Sequence, residues 1–141
     1  MTYLVHWGRD NERTVSTVEE LDAALDEAEG QRGDDGSSYL VDIVDQDDPD
    51  LMLGLQIGVG HPDRGFVFYS GLTAAETGYA ADPYLPALGG EIGFDYGGQW
   101  TGYEPAKTRL TPSQVRRAAR DYVATGRRPT SVAWPQHTDS V

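Results

Sequence analysis

The carboxylates and imidazoles of the chain are the side chains that could perform acid–base or metal chemistry. His61-Pro62-Asp63 offers two metal ligands, and Glu91 and Asp95, four residues apart, would share one face of a strand as an acid and base pair. A proline-containing turn between strands explains the first group better than a metal site does. The sequence contains no nucleophile elbow, glycine-rich phosphate loop or His-Glu-x-x-His helix. We therefore predict that the chain is not an enzyme and uses no metal and no cofactor.

An acidic run at residues 45–50 superficially resembles a calcium-binding loop. Its carboxylates are Asp45, Asp47, Asp48 and Asp50. A calcium loop also needs a glycine and a distal bidentate glutamate, which are absent here, and Pro49 interrupts the run. Because Pro49 stops a strand ladder and four carboxylates cannot be packed inside, we predict an exposed acidic hairpin tip.

A glycine-rich stretch, residues 89–100, does not follow a strand–helix pattern and contains acids that would repel phosphate. It favours a hairpin whose turn, Gly97-Gly98-Gln99, needs positive φ. Around this turn lie three aromatic rings and two acids: Asp95, Tyr96, Trp100, Tyr103 and Glu104. Aromatic anchors rimmed by charge are typical of a protein-binding hot spot. Core packing is the alternative for at least one of the rings.

The charge of the chain is strongly negative and unevenly placed. With 23 acidic and 11 basic residues, the formal net charge is −12 at pH 7. Residues 19–50 hold thirteen acids and one arginine, whereas residues 105–141 hold seven cations and two acids. Nucleic acid is an unsuitable partner because phosphate binding needs clustered cations. A basic protein is the natural partner for an acidic face, and solubility alone is the alternative explanation.

Length and residue types favour one domain, residues 1–141, with stability that comes from packing. The chain has no cysteine, so disulfides and zinc–thiolate sites are impossible. No apolar run approaches the roughly 20 residues that span a bilayer, and residues 1–7 do not resemble a secretion signal. We expect a cytoplasmic protein.

Two amphipathic helices are predicted from their capping signals. For the first, either Ser16 with Glu19 or Thr17 with Glu20 fits a capping box, and Gly30 can end the helix. For the second, a box begins at Thr111 with proline at the first helical position, and Gly126 ends it.

The remaining elements are predicted to be strands joined by turns, with 8–13 as a polar turn. Strands are expected at 2–7, 39–44, 51–59, 66–69, 92–96, 100–104 and 131–134, and residues 71–90 as a long irregular connection over a sheet face or edge. The pattern indicates an α+β fold: a single antiparallel sheet of about five to seven strands with the two helices on one face.

The last third of the chain carries a recognisable pattern. Leu110-Thr111-Pro112-Ser113 is followed by a helix with Ala118, Ala119 and Tyr122, then Thr125-Gly126-Arg127-Arg128-Pro129 and a segment ending in Trp134. Together with Val18-Glu19-Glu20-Leu21 and the strands at 51–59 and 66–69, this resembles the immunity protein family numbered first in bacterial polymorphic toxin systems. The resemblance implies an α+β antitoxin that binds a partner toxin, typically of the nucleic-acid deaminase superfamily. It assigns Trp134 no catalytic role.

Taken together, these patterns predict neutralisation of a toxin by direct protein binding. The predicted contact residues are Asp45, Asp47, Asp48, Asp50, Asp95, Tyr96, Trp100, Tyr103 and Glu104. The alternative is a small-ligand-binding or enzymatic α+β domain with a pocket between residues 71–90 and the aromatic hairpin. A chaperone or adaptor for a secreted protein is a third possibility.

Overall fold

A computed structural model describes residues 1–33, 36–47 and 53–135. Within these ranges the chain forms eight strands and two α-helices: β1 (Tyr3–Trp7), β2 (Asn11–Val15), α1 (Val18–Glu29), β3 (Ser38–Asp45), β4 (Gly54–Gly58), β5 (Phe66–Ser70), β6 (Gly78–Tyr79), β7 (Ile92–Tyr96), β8 (Gln99–Tyr103) and α2 (Pro112–Thr125). The α+β prediction is confirmed, with slightly more strands than expected. No helix in the described part is long and apolar enough to cross a membrane.

The strands form one sheet in the order β2-β1-β3-β4-β5-β6, with antiparallel neighbours throughout. The β7–β8 hairpin joins the start of β3, where Ser38 pairs with Phe94 and Tyr39 with Asp95 in a parallel arrangement. β3 is eight residues long and pairs with β1, β4 and β7. It therefore links the main sheet to the aromatic hairpin.

Both helices pack against the same core, on one face of the sheet. α1 buries Leu21, Ala24, Leu25 and Ala28, and α2 buries Val115, Ala118, Ala119, Tyr122 and Val123. At the start of α1, the Glu20 N–H donates to Thr17 Oγ1 (3.1 Å) and the Glu20 carboxylate accepts from the Thr17 N–H (3.2 Å). Thr17 is thus the N-cap. α2 begins with the predicted Thr111 box, and Gly126 ends it at φ +73°.

A second, smaller core lies on the opposite face, because neighbouring residues of a strand alternate between faces. It contains Leu40, Phe66, Phe94 and Tyr103, with the rings of Phe66 and Tyr103 stacked at a centroid distance of 4.2 Å. Phe94 meets Phe66 edge-on at 5.3 Å. The β7–β8 hairpin therefore covers one end of this face.

Two predicted elements differ from the structure. The 8–13 segment is only partly a turn, because β2 begins at Asn11; it escaped prediction because Val15 alone is buried in this edge strand. Residues 131–134 form a bend followed by irregular chain, and the predicted strand is wrong. Trp134 is instead half-buried against Tyr69, and its Nε1 donates to the Pro129 carbonyl (2.6 Å).

Within residues 71–90, which were predicted to be an irregular connection, Gly78 and Tyr79 form the short strand β6 at the β5 edge of the sheet. Two arginines hold the segment through its carbonyl groups: Arg64 donates to Pro86 (2.7 Å) and Arg109 to Leu85 (2.8 Å). Tyr79 packs against the smaller core.

Candidate functional site

The sheet face opposite the helices carries a line of cross-strand neighbours, which we term the open-face row. It takes one residue from each of six adjacent strands: Glu12, His6, Asp42, Gln56, Phe68 and Tyr79. Residues paired across antiparallel strands point to the same face. Glu12 is exposed and the other five are half-buried. This face therefore combines acidic, amide and aromatic groups at the surface.

Asp42 lies in the middle of the row and is the least usual of these groups. It interrupts an otherwise apolar run in β3, where Val41 and Ile43 on either side are fully buried in the helix-facing core. Burial raises the pKa of the Asp42 carboxyl, while a hydrogen bond from the Gln56 side chain and the charge of His6 act in the opposite direction. The carboxylate is thus held by polar neighbours on both adjacent strands.

Tyr96 approaches this group from the hairpin. Its hydroxyl lies 3.5 Å from Gln56 Nε2, and the residue is 40% exposed. The negative charge of Asp42 is the main cause that raises the pKa of Tyr96, followed by burial. Four strands therefore bring His6, Asp42, Gln56 and Tyr96 together. Of these residues only Tyr96 was predicted from the sequence; the signal for Asp42 was a lone carboxylate inside an apolar strand.

The hairpin turn has the predicted positive φ values, +62° at Gly97 and +93° at Gly98. The rings of the hairpin, however, do not form one cluster. Trp100 pairs with Asp95, on the face opposite to Tyr96. Its indole is 54% exposed and lies so close over Gly93 that no side chain would fit there.

Two of the predicted contact residues are buried in the free chain. Asp95 is 2% exposed, and its Oδ1 accepts a hydrogen bond from the Gly98 N–H (2.9 Å), which fixes the turn. Tyr103 is 8% exposed in the smaller core, and burial raises its pKa. Glu104, the next residue, is exposed. These positions make Asp95 and Tyr103 supports for the hairpin surface.

The acidic tip is described only in part. Asp45 ends β3 half-buried, and its Oδ1 accepts a hydrogen bond from the N–H of the exposed Asp47 (2.9 Å). Asp48 and Asp50 lie outside the described residues. Because residues alternate along β3, Asp45 points to the helix side and Asp42 to the open face. Asp45 and the open-face residue Asp42 thus lie on the same strand but on opposite faces.

The acidic face of α1 is largely matched by the arginines of α2. Arg116 pairs with Asp26 (3.0 Å), Asp22 (3.3 Å) and Glu29, and Arg120 pairs with Asp22 (2.8 Å). The acidic residues of α1 and two arginines of α2 therefore face each other within the fold. Residues four apart lie on the same face of a helix. The spacing of Asp22 and Asp26, and that of Arg116 and Arg120, therefore indicated one acidic helix face and one basic helix face that could pair.

The alternative pocket, between residues 71–90 and the hairpin, does not coincide with either of two clefts found among the described residues. One cleft of about 280 Å³ includes Arg9, Asp95 and Gly98 but nothing from 71–90. Another of about 210 Å³ includes Leu72 and Tyr122 but nothing from the hairpin.

The fold defines the class: a small α+β protein with acidic and aromatic groups on one sheet face and on a hairpin. The family described as Immunity protein Imm1 matches residues 9–136, and the chain belongs to this family. No match is found among curated proteins. The predicted family is thereby confirmed, and membership gives the chain the role of an immunity protein that binds a cognate toxin.

Proposed function

We propose that this immunity protein neutralises a nucleic-acid deaminase toxin by direct binding through its acidic and aromatic surface. The contact residues we propose are the tip Asp45, Asp47, Asp48 and Asp50 and the hairpin residues Tyr96, Trp100 and Glu104, with Asp95 and Tyr103 supporting the hairpin from beneath. A toxin that modifies nucleic acid acts inside the cell, so we place the inhibitor in the cytoplasm.

The distribution of charge is the observation that carries this proposal. The acids of the ion pairs found among the described residues all lie on α1: Asp22, Asp26, Glu27 and Glu29. Asp47 and Glu104 are exposed and take part in none of these pairs. Much of the charge of α1 is therefore satisfied internally, and the acids at the sheet end and beside the hairpin are available to a partner.

The chemistry of the partner fits such a surface. A protein that acts on DNA or RNA needs a positively charged surface for the phosphate backbone. Carboxylates can occupy that surface in place of phosphates, and charge complementarity accelerates the encounter of the two proteins. An exposed tryptophan such as Trp100 supplies the large apolar contact that a charged rim lacks.

The test uses the toxin domain encoded beside the gene for this chain. We expect the purified chain to abolish deamination of single-stranded DNA or RNA by that domain at a one-to-one molar ratio. The test variant is the chain with Trp100→Ala together with Asp47→Asn, which should inhibit less while keeping the unfolding midpoint of the wild type. Full deamination in the presence of excess wild-type chain would contradict the proposal, as would a partner domain with a different activity.

A further inference from the structure

The open face of the sheet provides a second contact chemistry, separate from the acidic tip and from Trp100. We infer that Asp42, Gln56 and Tyr96 form a receptor for an arginine side chain of the toxin, which inserts on this face. This inference rests on the proposed function, since the arginine belongs to the cognate toxin.

The first step of the argument is the state of Asp42. Its carboxylate is half-buried and interacts electrostatically with His6, the Gln56 amide and the hydroxyls of Tyr96 and Tyr103. No arginine or lysine is among these described neighbours. A carboxylate accepts up to about four hydrogen bonds when ionised. Asp42 therefore has acceptor capacity left, at a position where its charge is poorly solvated.

The second step is the shape of the surroundings. A side-chain hydrogen bond to Asp42 uses the Gln56 amide N–H group, which leaves the amide oxygen of Gln56 as a further acceptor. The hydroxyl of the partly exposed Tyr96 lies 3.5 Å from Gln56 Nε2, and Tyr96 feels the charge of Asp42. A planar guanidinium pairs with a carboxylate through two hydrogen bonds and stacks on an aromatic ring, whereas an ammonium does neither as well.

The third step is the apolar surface beside Asp42 on the same sheet face. Leu4 and Val44 are cross-strand partners in the next row of the same face, and both are half-buried. Arginine buries its aliphatic stem along apolar surface while its charged end reaches a polar group. Leu4 and Val44 thus offer an apolar support for the aliphatic stem of an arginine. Asp42 and Gln56 offer hydrogen-bond acceptors for its guanidinium, and Tyr96 offers an aromatic ring.

Charge complementarity selects the occupant. The exposed Glu12 adds a second carboxylate on this face, next to His6 in the row, and the chain as a whole carries −12. A toxin with a basic nucleic-acid surface offers arginines at its own binding face. A small molecule with a guanidinium group would use the same acceptors, and the experiment separates the two.

The experiment measures affinity for a catalytically inactive form of the neighbouring toxin domain. Asp42→Asn keeps the shape of the side chain and removes its charge, and it should weaken binding by at least about tenfold, as loss of a buried charge partner does. Tyr96→Ala should weaken binding as well, and Tyr96→Phe should weaken it less. Glu19→Gln, which removes one exposed charge from the helix layer, is the matched control and should stay within about twofold of wild type.

A double-mutant cycle then identifies the inserted residue. Each arginine of the toxin surface is replaced by lysine, and one of them should show coupling with Asp42→Asn: its replacement weakens binding to wild type but not to the variant. If wild type binds and Asp42→Asn binds equally well, the receptor is wrong while the proposed function stands. If Asp42→Asn binds weakly but no toxin arginine couples to it, the arginine is wrong. Absence of binding by wild type would overturn the proposed function itself, and arginine amide binding to the chain alone would identify a small-molecule site instead.

Discussion

Arg116 of α2 and Asp22 of α1 form an ion pair at 3.3 Å across the two helices, and Arg116 also reaches Asp26 and Glu29. Arg116 is 18% exposed and Asp22 30%. An arginine shared by three carboxylates in a partly buried network is worth more than an isolated surface pair. The charge segregation of the sequence therefore serves in part to hold the helix layer together.

Replacing Arg116 should weaken this layer. We expect Arg116→Met to lower the free energy of unfolding by about 1–2 kcal/mol, because three acids lose their shared partner while the apolar stem is kept. Arg117→Met is the matched control: Arg117 is exposed on the same helix, and its loss should change the free energy by less than about 0.5 kcal/mol. Equal denaturation midpoints for the two variants would show that the inter-helix network contributes nothing.

Asp42 gives a second prediction, about pH. Burial raises the folded-state pKa of Asp42 above its unfolded value. Such a shift contributes stability that is present below the unfolded pKa and lost as pH rises through the folded pKa. Asp42→Asn should therefore be more stable than wild type at pH 7, and the difference should shrink as the pH falls towards about 4. Urea unfolding of both proteins across this range checks it; a constant difference at all pH values would mean that the charge is not the cause.

Much of the fold could be predicted because local signals agree with tertiary packing. The Thr111 box gave the start of α2, the Gly97-Gly98 turn gave the hairpin, and the apolar periodicities gave the buried faces. β2 was missed since Asn11–Val15 is an edge strand with one buried side chain. The segment 131–134 was mistaken for a strand because Val132 and Trp134 pack on the core without strand pairing.

The candidate site was predicted only where it is local in sequence. The hairpin acids and rings lie close together along the chain, but Asp42, Gln56 and His6 meet only through the register of β1, β3 and β4. No spacing along the chain encodes that meeting. The alternation of side chains along the two hairpin strands does predict one feature that residue composition does not show. Tyr96 and Trp100 face opposite sides of the hairpin.

Trp100 and Tyr103 should separate binding from stability. Trp100→Ala removes an exposed ring and should cost about 2 kcal/mol or more in toxin binding with a small effect on folding. Tyr103→Ala removes a stacked core ring and should lower the free energy of unfolding by about 3–5 kcal/mol. Thermal unfolding and binding are measured on both variants. A Trp100→Ala protein that is as destabilised as Tyr103→Ala would place the indole among the core residues.

The acidic tip should act on the rate of association. Neutralising Asp45, Asp47, Asp48 and Asp50 together to asparagine should lower the association rate with the toxin severalfold at low salt and little at high salt, because exposed charges steer and are screened. Dissociation should change less. Stopped-flow mixing at several salt concentrations measures both rates. An association rate that depends on neither salt nor the four aspartates would contradict electrostatic capture.

The most direct test of the account is whether this chain and the toxin domain encoded beside it form a complex. Isothermal titration of the purified chain into the catalytically inactive toxin domain should give one-to-one binding, and the active domain should lose its nucleic-acid deamination at the same ratio. A titration without heat or complex, together with toxin activity that is unchanged by excess chain, would contradict the central claim.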